Sequence, residues 1–282
     1  MKKKKPIRVI TLASGYDSQC LALKYAGIPF DLVYWCEYDP TTPNTPIEQQ
    51  PAVVAHNIFF PEYSDRNLGD LTKVDWEKIA AEVGEIDLLT TSTPCTDISL
   101  AGKQAGFEKG SGTRSSILWN VEDAIKYLKP KWIMFENVRN TVSPKYMPLF
   151  LEWVRIVNSY GYNTVWKVLN AVDYNCPQNR ERVFAISSRL DVSNLAFTFP
   201  EPIEPTIKLL DLIDDEVPEN YYLSDEKVKA YLDRTKMHKN KGDGFQFKPL
   251  DVHNANGGGE DTVCGCIRAN GLFSYSEPHV LD

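Results

Sequence analysis

Residues 85–99 read EIDLLTTSTPCTDIS. An apolar run passes within a few residues into a proline and a set of hydroxyl side chains around one thiol, Cys95. A short apolar run bounded by turn residues reads as a buried strand, here 85–91, that empties into a loop. The thiol at that exit has two readings. Free cysteine is usually a small buried hydrophobe; at the end of a strand, on a turning loop, it also stands where a nucleophile is placed.

The same form recurs along the chain, and the recurrence decides the fold. IRVITLA (7–13), FDLVYWCE (30–37), KWIMFE (131–136), NTVWKVLNA (163–171) and RVFAISS (182–188) read as further strands. Between them stand helical patterns: 18–27 with Gly27 at its end, AVVAHNIF (52–59), VDWEKIAAEV (74–83), SILWNVEDAIKYLK (116–129) stopped by Pro130, and MPLFLEWVRIVNSYGY (147–162) ending at Gly161. Strands alternating with helices predict an α/β protein built on a mostly parallel, doubly wound, Rossmann-like sheet. After about residue 190 the proline-rich FTFPEPIEPTIK (197–208) marks a boundary. The expected division is therefore a domain over residues 1–194 and a small region over 195–282.

Composition narrows the class. The 282 residues are 43% hydrophobic and 24% charged, ordinary for a globular chain. No stretch approaches the roughly 20 apolar residues of a membrane span. The basic start MKKKKPIRVI is followed by no long apolar region, so it is not a secretory signal. Six scattered cysteines predict a reducing cytoplasm rather than a disulfide framework. Cys264 and Cys266 form a CxC without two further ligands, so no metal site is expected. The net charge of −7 does not favour non-specific nucleic-acid binding, but the charge is segregated. Residues 201–220 hold seven carboxylates and one lysine, whereas 221–250 hold seven Lys/Arg and four carboxylates.

Functional groups of an open α/β sheet gather at the carboxyl ends of its strands. Those ends carry the glycine turn ASGYDSQ (13–19), Glu37 with Tyr38 and Asp39, Asp70, Cys95, and Glu136 with Asn137. Singly, each has a structural reading: a glycine turns the chain, and an acid caps the next helix. Together they place a turn, three acids and a thiol along one edge. The single glycine of the first turn is a poor fit to a pyrophosphate. An acid ending the second strand suits ribose hydroxyls, hence a nucleoside without phosphates such as S-adenosylmethionine.

With these residues in hand, the chain resembles the DNA (cytosine-5) methyltransferase family, especially its phage and prophage branch. The matching stretches are LASGYDSQCLAL (12–23), EYD (37–39), GDL (69–71), TSTPCTDIS (91–99), GKQAGFEKGSGTRSSILW (102–119), ENV (136–138) and CPQNRERVF (176–184), in the family's order and spacing. The resemblance implies a methyltransferase fold with a small C-terminal target-recognition region. It implies transfer of a methyl group from S-adenosylmethionine to carbon 5 of cytosine in double-stranded DNA, leaving S-adenosylhomocysteine. Cys95 would attack carbon 6 of a cytosine flipped out of the duplex, and Glu136 would hold a proton at ring nitrogen 3. A helix start and nearby arginines would favour the Cys95 thiolate, and burial would raise the Glu136 carboxyl. Arg182 would hold the cytosine carbonyl oxygen, with Arg180 beside it on the same strand face. For the cofactor, it assigns the turn Ala13, Ser14, Gly15, Tyr16, Asp17 and Ser18, then Glu37 and Tyr38, Asp70 and Leu71, and Ser92, Pro94 and Ile117. Residues 102–116 would form a lid, and 195–270, with the basic stretch 227–248 and Gly257–Gly259, would read the DNA. The setting implied is the cytoplasm of a bacterium or phage-infected cell, in phage protection or restriction–modification.

Three departures from the family pattern stand out. The first turn has fewer glycines, Thr96 stands where glutamine is common, and neither an RxLTPRE-type nor a GNS-type C-terminal segment is present. The last departure is expected to leave the chain marginally stable alone. It keeps open a truncated sequence, a second polypeptide that supplies the end, or a decayed relative that is a silent DNA-binding remnant. An RNA cytosine-5 methyltransferase is the remaining alternative, disfavoured by CTDIS after the strand.

Overall fold

A computed structural model describes residues 5–98, 105–192 and 197–212, and beyond them only scattered positions. The stretch 99–104, most of 227–248, Gly257–Gly259, and Cys264 with Cys266 lie outside the described residues.

Six strands form one sheet: β1 (Ile7–Leu12), β2 (Phe30–Cys36), β3 (Leu88–Thr91), β4 (Trp132–Val138), β5 (Tyr162–Asn170) and β6 (Glu181–Arg189), in the order β2-β1-β3-β4-β6-β5. The pairs β1–β2, β1–β3 and β3–β4 are parallel, and β4–β6 is antiparallel. The helices are α1 (Ser18–Tyr25), α2 (Pro51–Phe59), α3 (Trp76–Val83), α4 (Val121–Leu128) and α5 (Met147–Ser159).

Both faces of the sheet are covered, as runs apolar at consecutive positions require. Val9 points to one side with Leu32 and Trp35, where Cys20 of α1 and Val53 of α2 pack. Ile10 and Leu12 point to the other with Leu89, Ile133 and Phe135, under α3, α4 and α5 through Trp76, Ile125 and Trp153. Each such side chain, fully removed from water, contributes about 1.5–3 kcal/mol. The helix ends follow local chemistry. Asp75 caps α3 by accepting the Lys78 N–H at 3.0 Å, and Gly84 at φ 67° ends it. Gly161 at φ 89° turns the chain after α5.

The expected helix 116–129 begins differently. Arg114–Asn120 winds as a tighter 3₁₀ turn and the α-helix starts at Val121. The cause is tertiary. Ser115 Oγ donates to the Pro94 carbonyl at 2.7 Å, and the Trp119 indole N–H donates to the Phe107 carbonyl, which draws this turn against two loops.

The chain divides into two compact units, Met1–Val168 with Arg182–Phe199, and Leu169–Glu181 with Pro200–Asp282. In the second, Asn175, at φ 63°, binds Oδ1 to the N–H groups of Thr206 and Ile207 at 2.7 and 2.9 Å. The connection 171–180 is thereby stitched to the segment that follows Pro200.

Candidate active site

Strand order places the site. From β1 the chain goes to β2 on one side and returns to β3 on the other, so the connections leaving the paired carboxyl ends of β1 and β3 run apart. A cavity of about 850 Å³ opens there. Ala13 and Gly15, Glu37 and Tyr38, Asp70 and Leu71, Ser92 and Pro94, and Ile117 all line it. Its volume is within the range of small-molecule sites, about 300–1,000 Å³.

Its floor is held by many buried bonds. The turn after β1 puts Ala13, Gly15 and Asp17 at φ 49°, 58° and 64°. Left-handed backbone at non-glycine residues costs on the order of 1–3 kcal/mol and persists where the surroundings over-determine it. Here Ser14 N–H donates to the Cys36 carbonyl at 3.2 Å and Gly15 N–H to Glu37 Oε2 at 2.6 Å. Burial pushes the Glu37 carboxyl up, the Gly15 bond opposes this, and Asp39 adds to it. Asn67 ties β2 to the next segment: its Oδ1 accepts from the Glu37 and Gly69 N–H groups at 3.1 and 2.9 Å, and its Nδ2 donates to the Glu37 carbonyl at 3.1 Å. Asp70 Oδ1 accepts from the Thr72 N–H and hydroxyl at 3.0 and 2.7 Å. Burial pushes the carboxyl up, but these bonds together with Lys73, 3.4 Å away, outweigh it and hold the carboxyl below its usual range.

Four residues expected at the cofactor do not line the cavity. Ser14 is buried in the turn, and Ser18 is exposed at the start of α1. Tyr16 is half exposed with its ring 6.2 Å from Phe59. Asp17 is fully buried and points away from the ligand space. It caps α1 by accepting the Cys20 N–H at 3.2 Å and accepts the Thr11 hydroxyl at 2.7 Å. A capping carboxyl that satisfies a strand and a helix at once faces into the fold.

The reaction edge lies beside the cavity. The loop after β3 carries a half-buried Cys95 next to Pro94. Residues 96–98 form a turn. The loop is pinned from three sides. Ser115 holds the Pro94 carbonyl and exchanges bonds with Asp97, its N–H to Oδ2 at 3.0 Å and its Oγ accepting the Asp97 N–H at 3.2 Å. Asn137 Nδ2 donates to the Thr93 carbonyl at 3.1 Å, and Asn140 Nδ2 donates to the Ile98 carbonyl. On β4, Asn137 is buried toward this loop while Glu136 alternates to the other side. Glu136 lies opposite Phe184 and Val138 opposite Arg182, so Glu136 and Arg182 are diagonal neighbours on one face. Their ion pair closes at 3.0 Å from Arg182 Nε to Glu136 Oε1.

Arg180 does not share that strand. β6 starts at Glu181, and Arg180 belongs to the second unit, its N–H donating to Asn170 Oδ1 at 2.9 Å. The Ala171 N–H donates to the Arg180 carbonyl at 3.1 Å, so the backbone stays bonded one residue before β6 begins.

Over the cavity lies the described part of the glycine-rich segment 102–116. Lys109, Gly110, Gly112, Thr113 and Arg114 line the opening. Phe107 is buried beneath, while Lys109 pairs with Glu122 at 2.8 Å and Arg114 with Asp39 at 3.4 Å.

A profile of the C-5 cytosine-specific DNA methylase family matches residues 7–269. The chain belongs to this family. It is 41% identical over 172 residues to the type II methyltransferase M2.ScrFI of Lactococcus lactis subsp. cremoris, covering 61% of this chain and 46% of that one. It is 31% identical over 185 residues to M.DsaV of Dactylococcopsis salina, 65% and 52% of the two chains. It is 26% identical over 254 residues to the orphan methyltransferase M.SPRI of Bacillus phage SPR, 80% and 54%. The chain thus spans about half the length of these relatives. Among solved structures, the Entamoeba histolytica methyltransferase EhMeth superposes with a TM-score of 0.67 at 18% identity over 93% of this chain and 71% of that one. A putative DNA modification methyltransferase encoded within an E. coli prophage gives 0.55 at 24%, over 78% and 56%. At these identities the structures share the fold.

Several residues that shape this family member's site escaped the sequence argument. Asn67 and Asn140 carry no motif of their own, Ser115 falls inside the stretch 102–119 without a role of its own, and Asn137 and Asp97 read as companions of Glu136 and Cys95. The asparagine following Glu136 on a strand was the one available signal: alternation sends it to the opposite, buried side, where an amide needs partners. Among the described residues no cluster suited to a metal ion is present, and no helix is long and apolar enough to cross a membrane.

Proposed function

We propose that this chain transfers a methyl group to carbon 5 of cytosine in double-stranded DNA, using S-adenosylmethionine bound in the cavity at the β1/β3 divergence. The observation that carries the reading is the Glu136–Arg182 pair on β4 and β6, one strand over from the β3 exit loop that presents Cys95 beside the cavity. The cavity wall fits a nucleoside without phosphates. It offers the Glu37 carboxyl, with Oε2 on Gly15, the apolar Leu71, Pro94 and Ile117, and two acids, Asp70 and Glu37, toward a cationic ligand. In this reading Glu37 takes the ribose hydroxyls, Asp70 the adenine amino group, and Leu71 the adenine ring.

Bound there, S-adenosylmethionine would supply an electrophilic methyl group. The chain's own residues do the rest. The Cys95 thiolate adds to carbon 6 of a flipped-out cytosine, which makes carbon 5 nucleophilic. Glu136 holds a proton at ring nitrogen 3 as negative charge develops there. Arg182 orients that carboxyl through Oε1 and offers its remaining donors to the ring carbonyl. Loss of the carbon 5 proton to solvent then re-forms the 5,6 double bond, breaks the carbon 6–sulfur bond and releases Cys95 as the thiolate. Residues 1–194 carry this chemistry and 195–282 read the DNA.

The test is methyl transfer from tritiated S-adenosylmethionine to mixed-sequence duplex DNA, beside Cys95→Ala. Label in DNA that disappears with the variant is the expected result. Label that survives Cys95→Ala, or none with RNA and DNA alike when partner segments are added in trans, would overturn it.

A further inference from the structure

Beneath the cavity floor sits a buried pair that the chemistry above does not use. Asp17 and His56 are both fully buried, with His56 Nε2 3.7 Å from Asp17 Oδ2. His56, on α2, stacks on Trp35 of β2 with ring centroids 3.6 Å apart and planes 15° from parallel. Its Nδ1 lies 3.3 Å from Asn57 Oδ1, and its Nε2 has no hydrogen-bond partner. With Nδ1–H donating to Asn57, a neutral imidazole turns a bare Nε2 lone pair toward a carboxyl oxygen already accepting from Thr11. Two buried acceptors facing each other are unfavourable, and one proton between them removes the conflict.

We propose that Asp17 and His56 share one proton across this gap, and that the protonated pair is a positioning device for the turn Ala13–Gly15 on which the cofactor lies. Asp17 is the only joint in that turn reaching three elements at once among the described residues: Thr11 of β1, the Cys20 N–H of α1, and His56 of α2. The residues it braces include Ala13 and Gly15, which line the cavity. Burial pushes the Asp17 carboxyl up against the Thr11 and Cys20 bonds, and burial pulls His56 down; both favour a neutral pair. The other titratable groups facing it are Cys20 and Glu37 on the Asp17 side and Glu62 on the His56 side. When the proton leaves, a buried carboxylate confronts the Nε2 lone pair, and the turn loses its brace. The braced form exists below the pair's pKa, so cofactor affinity is full there and falls as pH rises through it. The positioning role rests on the cavity being the S-adenosylmethionine site; the shared proton does not.

Two measurements on the full chain test this. The first follows the His56 ring nitrogens by ¹⁵N NMR without ligand across a pH series. The expected result is a protonated Nδ1 at neutrality and an Nε2 resonance that moves only when the pair loses its proton, a movement absent in Asp17→Asn, whose amide donates at all pH values. An imidazole that titrates near its ordinary value of about 6.5, indifferent to Asp17→Asn, overturns the shared proton. The wild-type resonance needs no variant, so the test survives an Asp17→Asn chain that does not fold. The second is calorimetry of S-adenosylmethionine binding across the same series. Affinity should fall by up to about tenfold per pH unit above the pair's pKa in the wild type and stay flat in Asp17→Asn. Parallel profiles in the two proteins overturn the positioning role. Absence of binding at every pH, with the resonance behaving as expected, overturns the cavity reading instead.

Discussion

The floor and the roof of the cavity are built on different physics. The floor, from Ala13 to Asp17, Glu37 and Asn67 to Leu71, is held by short bonds among buried or half-buried groups, many of them backbone. The roof, residues 109–114, is held at the cavity mouth by two ion pairs in which an exposed cation meets a half-buried carboxylate, Lys109–Glu122 and Arg114–Asp39. Buried bonds are costly to break and insensitive to salt. Exposed pairs contribute little and are screened. A ligand of the floor therefore meets a preformed surface, and the roof can yield at small cost, which is what a lid needs.

The knot joining the roof segment to the Cys95 loop is Ser115, and the largest effect is expected there. Ser115→Ala removes the partner of the Pro94 carbonyl and of the Asp97 N–H in a buried place. It should lower unfolding free energy by on the order of 2–3 kcal/mol in urea titration and loosen the Cys95 loop. Asn67→Ala attacks the floor alone. It should cost about 1–2 kcal/mol and weaken cofactor binding with little change in its salt dependence. If affinity drops with no loss of stability, the floor is not the rigid member of the comparison.

Roof variants should behave in the opposite way. Arg114→Gln is expected to change stability by less than about 1 kcal/mol, while speeding cofactor dissociation in stopped-flow measurements at low salt. At high salt the wild type and the variant should converge. Divergence there would show Arg114 acting by more than charge. The smallest effect is at acid pH. The Thr41 hydroxyl and N–H, and then Arg114, hold the Asp39 carboxyl below its usual range. A lowered carboxyl contributes above the unfolded-state value and loses its contribution only as pH falls through the folded one. The roof pair should therefore persist to below about pH 4 in a dissociation-rate profile; its loss near neutrality would contradict the pairing.

Much of this was legible before any coordinate. Strands near 7–13, 30–37 and 131–136 and helices near 52–59 and 147–162 fall where period and punctuation put them, within the few residues by which element ends vary. Glu37 and Asp70 line the cavity where the strand ends put them, and Ser92, Pro94 and Ile117 line it where the family resemblance puts them. The failures are specific. Asp17 looked like a cavity residue because its neighbours are, yet a short acid just before a helix is also its natural cap. The start of the helix at 116–129 tightened because Ser115 and Trp119 bond to loops whose positions no local pattern contains.

By itself, then, the sequence determined the alternation of strands and helices, the family, and the chemical inventory along one sheet edge. The alternation and the inventory rest on local periodicity, on glycine and proline punctuation, and on residue types at fixed offsets; the family rests on the resemblance of stretches whose order and spacing run from residue 12 to residue 184. Tertiary structure alone decided that Glu136 meets Arg182, that Asn67 and Ser115 are the fasteners, and that Asp17 faces His56 rather than a ligand. Each of these depends on the register between strands or on the packing of one helix against another. A hydrogen bond or ion pair joins groups far apart in the chain only once the core has set the elements within about 3–4 Å of each other.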